Sequence, residues 1–312
     1  MQDYLIEFKG IKTGPTSIIL AGTHGDEVGG IDALKKMLPE FKIDRGRVLV
    51  GFGNPLAIKK KVRFAEANLN RMFKPDKFFI LGQKRTYEYA RAQFLKAYFD
   101  QADALLDLHC SFVKQSRPFI VCEDNSYDIA RYLPVNLIVT GLDQIQPGGT
   151  DYYMNSQDKV GICLECGYIG DNNASQIANE GIYDFLGAMG HISRKPKIHK
   201  QSLVKIYELY ITKTADFKLA KPFKDFEKLS TSQTIGTDGG REIKAPKDSI
   251  ILFARNMNRA GEESFALGEV IPGQPWSREQ REAIDEAATR LAKILVEQIE
   301  SEHKEKRTTE KD

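Results

Sequence analysis

Two histidines and one glutamate have the residue types and positions of a metal-binding set. His24 and Glu27 stand three residues apart in the segment Gly22-Thr23-His24-Gly25-Asp26-Glu27, which directly follows an apolar run, Thr16–Ala21. His109 directly follows another apolar run, Ala104–Leu108. Two imidazoles and one carboxylate are sufficient to hold a catalytic zinc ion with a fourth position open to water. Short motifs of this kind often match by chance, but the flanking glycines and the second histidine favour a metal site over two unrelated histidines.

A third carboxylate occupies a comparable position. Glu165 follows the apolar run Gly161–Leu164. A glutamate there is costly to bury unless it is paired or functional, and hydrolysis by a metal-activated water requires a base within about one hydrogen bond of that water. The alternative is a Glu165 that lies at the surface or caps a helix.

The elements around these residues alternate between strand and helix patterns. Short apolar strands followed by helices indicate an α/β layer fold with a mainly parallel sheet. The carboxyl ends of such strands meet at one edge of the sheet, so His24, Glu27, His109 and Glu165 are expected to converge. The predicted strands are Thr16–Ala21, Arg47–Phe52, Ala104–Leu108, Phe119–Cys122, Leu137–Thr140 and Gly161–Leu164, and the predicted helices are Ile31–Leu38, Gln83–Asp100 and Gln176–Met189.

The pattern changes near Ser193, which predicts a division into parts. Residues 1–194 are predicted to form the catalytic domain and residues 195–275 a smaller β-rich domain of short strands broken by turns. Residues 276–312 are predicted to form a C-terminal helix and a polar tail. His191, His199 and His303 lie outside the candidate site and are expected at the surface.

Composition excludes several classes of protein. The chain has 312 residues, 45 Lys+Arg against 43 Asp+Glu, and a formal net charge of +2. This balance argues against a dedicated nucleic-acid binder. Its apolar runs are far shorter than the roughly 20 residues that a membrane-spanning helix needs, and residues 1–7 do not have the pattern of a secretory signal. Four cysteines do not make a disulfide scaffold, so a cytoplasmic protein without a membrane partner is expected.

An ordered series of short motifs resembles the succinylglutamate desuccinylase/aspartoacylase family, which is related to the zinc carboxypeptidases. Each motif is weak alone, but their order through the first 190 residues is specific. The matching pieces are Gly22–Glu27, Asn54-Pro55, Asn68-Leu69-Asn70-Arg71-Met72-Phe73, Asp107-Leu108-His109 and Leu164-Glu165-Cys166-Gly167. The resemblance implies a zinc carboxypeptidase-like α/β fold with a mixed, mainly parallel sheet and a β-rich second domain.

The resemblance also implies roles for individual residues. His24, Glu27 and His109 would bind one Zn²⁺ per chain. Glu165 would be the general base and proton shuttle, and Arg63 would polarise the scissile carbonyl. Asn70 and Arg71 would bind the free carboxylate of the substrate, because a guanidinium matches a carboxylate with two parallel hydrogen bonds. Asn68 departs from the family, which often has an aspartate there to orient the first zinc histidine, so weaker zinc binding is expected.

The implied function is zinc-dependent hydrolysis of the amide bond of a small N-acyl amino acid. Within hydrolases, the alternative is a carboxypeptidase-like enzyme that acts on peptides. A second domain that closes the cleft would exclude long chains, whereas an open groove would admit them. The alternative from another class is a non-catalytic small-molecule binding protein on the same fold, which the complete set of His24, Glu27, His109 and Glu165 disfavours.

Overall fold

The structure is a computed structural model, and it describes residues 4–273 and Gln280. The chain divides into two compact units, Met1–Pro275 and Trp276–Asp312. Almost all of the predicted C-terminal helix and tail, residues 276–312, lies outside the described residues. Within the described residues, no helix is both long enough and apolar enough to cross a membrane.

Within residues 4–273, two sheets contain fourteen strands. The larger sheet has the order β1-β3-β2-β4-β7-β5-β6-β8-β14-β13-β10 and the smaller one has the order β12-β11-β9. The strands are β1 Ile6–Lys9, β2 Lys12–Ala21, β3 Arg45–Phe52, β4 Ala104–Ser111, β5 Phe119–Cys122, β6 Leu137–Thr140, β7 Val160–Tyr168, β8 Ser202–Ile211, β9 Phe217–Leu219, β10 Glu227–Leu229, β11 Thr234–Asp238, β12 Arg241–Lys244, β13 Ser249–Leu252 and β14 Glu263–Ile271.

Helices cover both faces of the larger sheet around β2, β4 and β7. Helices α1 and α8 pack on one face, and α4 and α7 pack on the other. Because both faces are buried, neighbouring residues such as Ile18 and Ile19 are both fully buried, which explains the unbroken apolar runs of the strands. The helices are α1 Val28–Met37, α2 Pro55–Lys60, α3 Leu81–Lys84, α4 Tyr87–Phe99, α5 Tyr127–Ala130, α6 Leu142–Ile145, α7 Thr150–Asn155 and α8 Ala174–Ala188.

The predicted fold class is confirmed: a large mixed sheet is flanked by helices and accompanied by a small antiparallel sheet. Strands β3, β2, β4 and β7 are parallel neighbours. Ala21 pairs with Leu108, and His109 pairs with Glu165. These registers bring the carboxyl ends of β2, β4 and β7 to one edge, as the sequence predicted.

The β-rich segment continues the larger sheet. Strand β8 pairs in parallel with β6, and β14, β13 and β10 follow in antiparallel order. Residues of this segment therefore share a layer with the N-terminal strands. The division at residues 194 and 195 stays a prediction.

Two local features differ from the sequence-based expectations. The helix predicted over Gln83–Asp100 is broken, because Thr86 has an extended backbone and its hydroxyl caps α4 by accepting from the Tyr89 amide at 3.3 Å. His191, expected at the surface, is fully buried; its Nε2 lies 2.8 Å from the Ser17 hydroxyl and its Nδ1 lies 2.9 Å from the Arg45 carbonyl oxygen.

Candidate active site

The turn between β2 and α1 carries the first two predicted ligands. Gly22 has a φ of +70°, a conformation that L side chains rarely adopt. Gly25 lies against the backbone of α2, so a Cβ atom there would come within 2.1 Å of the Ala57 carbonyl carbon. These two glycines allow the chain to turn sharply from the strand into α1, which puts the side chains of His24 and Glu27 at the edge of the sheet.

His24, Glu27 and His109 converge. Glu27 Oε1 lies 2.7 Å from His24 Nδ1, and Glu27 Oε2 lies 2.9 Å from His109 Nδ1. The ligand atoms of the three side chains all lie within 4.8 Å of one another. All three residues are buried. Imidazole nitrogen and carboxylate oxygen are donors that zinc accepts, so this donor set fits the metal that the sequence predicted.

Polar side chains contact the far nitrogens of both histidines. His24 Nε2 lies 3.0 Å from Asn68 Oδ1, the predicted contact, and His109 Nε2 lies 3.0 Å from Asp107 Oδ2. Contacts of this kind orient a ligating imidazole and set its tautomer. The sequence reasoning gave Asp107 no role, although strand alternation puts it on the same face as His109, and that alternation was the signal that could have identified it.

A second donor group shares His109. Asp107, His109 and Cys163 also have ligand atoms within 4.8 Å of one another. The Asp107 Oδ2 oxygen already accepts hydrogen bonds from the hydroxyls of Thr23 and Thr150, each at 2.8 Å. Burial raises the pKa of the Cys163 thiol well above its usual range, which opposes the thiolate that a metal needs. The group formed by His24, Glu27 and His109 is therefore the better metal site.

Two buried glutamates of the site have opposite pKa shifts. Burial alone would raise the pKa of Glu27, but His24 and His109 hold it well below its usual range. Burial raises the pKa of Glu165 to about 8, and the charge of Glu27 acts in the same direction. Burial, followed by the charge of Arg63, lowers the pKa of His24 to about 4. The site thus holds one firmly ionised carboxylate beside another that binds protons readily.

Glu165 lies in the same cleft as the three predicted ligands. Its Oε2 atom is buried and accepts no hydrogen bond from the described residues. A buried carboxylate oxygen without a partner is costly. Its position beside the donor set, together with its raised pKa, is typical of a group that exchanges protons with a ligand.

The predicted arginine and asparagine residues also line the cleft. The Arg63 guanidinium donates to Glu27 Oε1 at 2.9 Å. Asn70 Oδ1 accepts from the Thr150 amide at 3.1 Å. Arg71 makes two parallel hydrogen bonds, both of 2.8 Å, to the carboxylate of Glu263. Its guanidinium is therefore bound by a carboxylate of the protein itself.

Buried Glu88 positions the segment that carries these residues. Its carboxylate accepts from the backbone amides of residues 65–67 and, at 3.1 Å, from the side-chain amide of Asn54. The segment leads directly into Asn68 and Asn70. In the sequence Glu88 is only one polar residue of a predicted helix, because nothing local shows what its side chain contacts.

The β-rich segment contributes a wall of the cleft. Residues from β8, β14 and the connection after β13 line it, including Arg255 and Glu263. The cavity volume of the cleft is about 100 Å³. The sequence reasoning missed Arg255 and Glu263, because they belong to no motif and reach the cleft only through the long-range pairing of β8 with β14.

Comparison with known proteins identifies the family of the chain. Residues 13–186 match the family model described as the succinylglutamate desuccinylase/aspartoacylase catalytic domain. A protein of Prochlorococcus marinus (strain MIT 9312) named "Probable aspartoacylase" is 37% identical over 84 residues, which are 25% of this chain and 27% of that protein. The N-acyl-aromatic-L-amino acid amidohydrolase (carboxylate-forming) of Xenopus tropicalis is 25% identical over 171 residues, covering 48% of this chain and 53% of that protein.

Solved structures agree in fold. The crystal structure of succinylglutamate desuccinylase from Vibrio cholerae superposes with a TM-score of 0.72 at 19% identity, covering 86% of this chain and 85% of that chain. At this identity the likeness concerns the fold alone, whereas the family model matches more than half of the sequence. The chain therefore belongs to the succinylglutamate desuccinylase/aspartoacylase family.

Proposed function

We propose that the protein catalyses zinc-dependent hydrolysis of the amide bond of a small N-acyl amino acid, releasing a carboxylate and a free amino acid. One observation carries the proposal: a Glu165 carboxylate oxygen that has no hydrogen-bond partner among the described residues lies in the same cleft as the His24, Glu27 and His109 donors. The names of the relatives, an aspartoacylase and an N-acyl-aromatic-L-amino acid amidohydrolase, support this class of reaction.

His24, Glu27 and His109 would hold the zinc ion. Three protein ligands with a fourth position open are typical of catalytic zinc sites. When bound, zinc supplies a Lewis acid that polarises a carbonyl and lowers the pKa of a coordinated water toward about 7. The contacts from Asn68 and Asp107 keep the two imidazole rings in place, so that each presents its Nδ1 atom to the shared centre.

Glu165 would move the proton. Its carboxylate accepts the proton of the attacking water, and the water oxygen adds to the acyl carbon. Glu165 then delivers that proton to the leaving nitrogen as the carbon–nitrogen bond breaks. Its burial suits the first step, because a carboxylate whose pKa is raised by burial is a stronger base.

Arg63 would stabilise the charge that develops on the acyl oxygen. A hydrogen bond to Glu27 holds Arg63 at the cleft. Its side chain is 24% exposed, so part of the guanidinium is accessible to a substrate. A fixed cation aimed at a developing oxyanion is among the largest sources of rate enhancement.

Asn70 and Arg71 stay our proposed substrate-binding residues. Asn70 lines the cleft beside Gly149, and Arg71 lies next to it with Glu263 on its guanidinium. A substrate carboxylate that binds Arg71 must therefore displace Glu263 or share the guanidinium with it.

The wall formed by the β-rich segment favours a small substrate over a peptide. Leu209, Phe253 and Phe265 of this segment line the cleft that contains the metal-binding set. A cleft closed on this side leaves less room for a long chain. We also propose a cytoplasmic setting, which the four free and buried cysteines support.

The test is hydrolysis by the full chain loaded with zinc. N-acetyl amino acids and an acetylated pentapeptide are incubated separately, and the released amine is measured. We expect amine release from N-acetyl amino acids that a chelator abolishes and added zinc restores. Faster cleavage of the peptide would favour the peptidase alternative. No amine from either compound, with zinc bound, would favour the binding-protein alternative.

A further inference from the structure

The arginines that line the cleft differ in their ion pairs. Its arginines, among the described residues, are Arg63, Arg71 and Arg255. Arg63 donates to Glu27, and Arg71 donates two hydrogen bonds to Glu263 from one edge of its guanidinium. Within residues 4–273, no carboxylate lies within the 4.0 Å of an ion pair from Arg255. Among the described residues, Arg255 is therefore the guanidinium of the cleft that forms no ion pair.

Arg255 is held where a substrate could reach it. Its Nε and one terminal nitrogen each lie 3.4 Å from the Glu263 backbone carbonyl oxygen, which is a long contact. Its Cζ atom lies 4.7 Å from the centre of the Phe112 ring, and the Cζ atom of Arg63 lies 5.7 Å from the same centre. The Phe112 ring therefore lies close to both guanidiniums, that of Arg63, which we propose for the scissile carbonyl, and that of Arg255.

The electrostatic environment of Arg255 favours an added anion. Burial lowers its pKa from the usual value, and the charge of Arg63 acts in the same direction, whereas the charges of Glu263 and Glu262 act in the opposite one. A partly desolvated cation beside a second cation is stabilised when a carboxylate binds it, because charge-assisted hydrogen bonds are strong where water is excluded. In an N-acyl amino acid, the α-carboxylate lies three bonds from the scissile carbonyl carbon, so both groups can engage the two arginines beside Phe112.

The rest of the cleft does not suit a second carboxylate. One side is apolar and is formed by Val121, Leu142, Leu209, Phe253 and Ala266, which belong to one apolar cluster. The polar residues near it include two acids, Asp143 and Asp151. A second carboxylate placed there would meet apolar carbon or other carboxyl groups, and burial of an unpaired charge is costly.

We infer that the substrate carries a single carboxylate, bound by Arg255, and an apolar amino-acid side chain that packs on the wall of Leu209 and Phe253. The inference rests on the proposed function, because it names the substrate class of that same site. It makes Arg255, in place of Arg71, the specificity-determining residue that recognises the α-carboxylate, because Arg71 is already bound by Glu263.

The test compares three substrates that share the acetyl group and one that carries a succinyl group. Zinc-loaded full-length protein is assayed with N-acetyl-L-phenylalanine, N-acetyl-L-aspartate and N-acetyl-L-phenylalaninamide, and with N-succinyl-L-glutamate. Full burial of an apolar side chain is worth roughly 10-fold or more in affinity. We therefore expect kcat/KM for N-acetyl-L-phenylalanine to exceed that for either the dicarboxylate or the tricarboxylate by at least about 10-fold.

A substitution then tests Arg255 itself. In R255Q, we expect KM for N-acetyl-L-phenylalanine to rise about 10- to 100-fold, because a charge-assisted hydrogen bond is lost. The kcat value and the activity on the uncharged amide should change little, which a merely structural defect would not produce. Arg259→Gln is the matched control, because Arg259 lies in the same connection but is exposed and does not line the cleft.

Each outcome has a distinct meaning. A preference for N-acetyl-L-aspartate or N-succinyl-L-glutamate would overturn the inference and leave the proposed function standing. Equal losses for acid and amide in R255Q would overturn the role of Arg255. No hydrolysis of any compound by the zinc-loaded protein would overturn the proposed function and the inference with it.

Discussion

Replacing Glu165 by glutamine removes the proposed base with little change in shape. The wild-type side chain is buried, its Oε2 atom has no hydrogen-bond partner among the described residues, and its pKa is raised to about 8, first by burial and then by Glu27. A neutral amide avoids the cost of burying that carboxylate beside Glu27. We therefore expect E165Q to fold as stably as the wild type or more so, and to retain its metal.

The expected loss is in the chemical step. A positioned general base contributes roughly 10²- to 10⁴-fold to the rate, which corresponds to about 3–5 kcal/mol in activation free energy. E165Q should therefore lose at least about 100-fold in kcat for hydrolysis of an N-acyl amino acid, with KM changed far less.

The assay pairs turnover with zinc content and thermal unfolding of the same preparations. Glu180→Gln, on the exposed side of α8, is the matched control and should behave as the wild type. Undiminished kcat in E165Q would refute the assignment of Glu165 as the base. Loss of zinc or of the folded state would show that Glu165 acts through the structure instead.

Three further predictions concern positioning and stability. Asn68→Asp adds a charge at the far nitrogen of His24, so the zinc dissociation constant should fall about 10-fold or more in chelator competition; an unchanged constant would contradict the role of that contact. Glu88→Gln weakens the bonds to the amides of residues 65–67 and should lower the free energy of unfolding in urea by about 1.5–3 kcal/mol; an unaltered midpoint would contradict it. The pKa of Asp143 is raised to about 8 by burial and then by Asp151, so the folded chain binds more protons than the unfolded chain between the usual value of 3.8 and about 8, and its stability should fall as the pH rises through that window. Asp143→Asn should reduce that loss between pH 5 and pH 9 in urea titrations, and identical pH profiles would argue against it.

The sequence predicted the parallel strands and the convergence of residues far apart in the chain. Apolar runs that end in polar residues identify β2, β4 and β7, and the carboxyl ends of parallel neighbours meet at one edge. His24, His109 and Glu165 follow those runs. The convergence of their side chains therefore follows from the pattern of apolar runs and the residues that end them.

Other features depend on partners that local patterns do not specify. Arg255 and Glu263 reach the cleft only because β14 pairs with β8 and extends the sheet. Glu88 looks like an ordinary helical glutamate, yet it accepts bonds from a segment about twenty residues away in the chain. His191 is buried, and its ring nitrogens lie within hydrogen-bond distance of the Ser17 hydroxyl and the Arg45 carbonyl oxygen, which are far from it in sequence. Each of these contacts is set by the tertiary fold.

Metal content is the most direct measurement of the central claim. The full chain, purified without a polyhistidine tag, is analysed by elemental mass spectrometry beside His109→Ala, since the imidazole of His109 is one of the three donors. We predict close to one zinc ion per chain in the wild type and its loss in the variant. Absence of any transition metal from the wild type, even after reconstitution with zinc, would contradict the zinc site and the mechanism proposed for it.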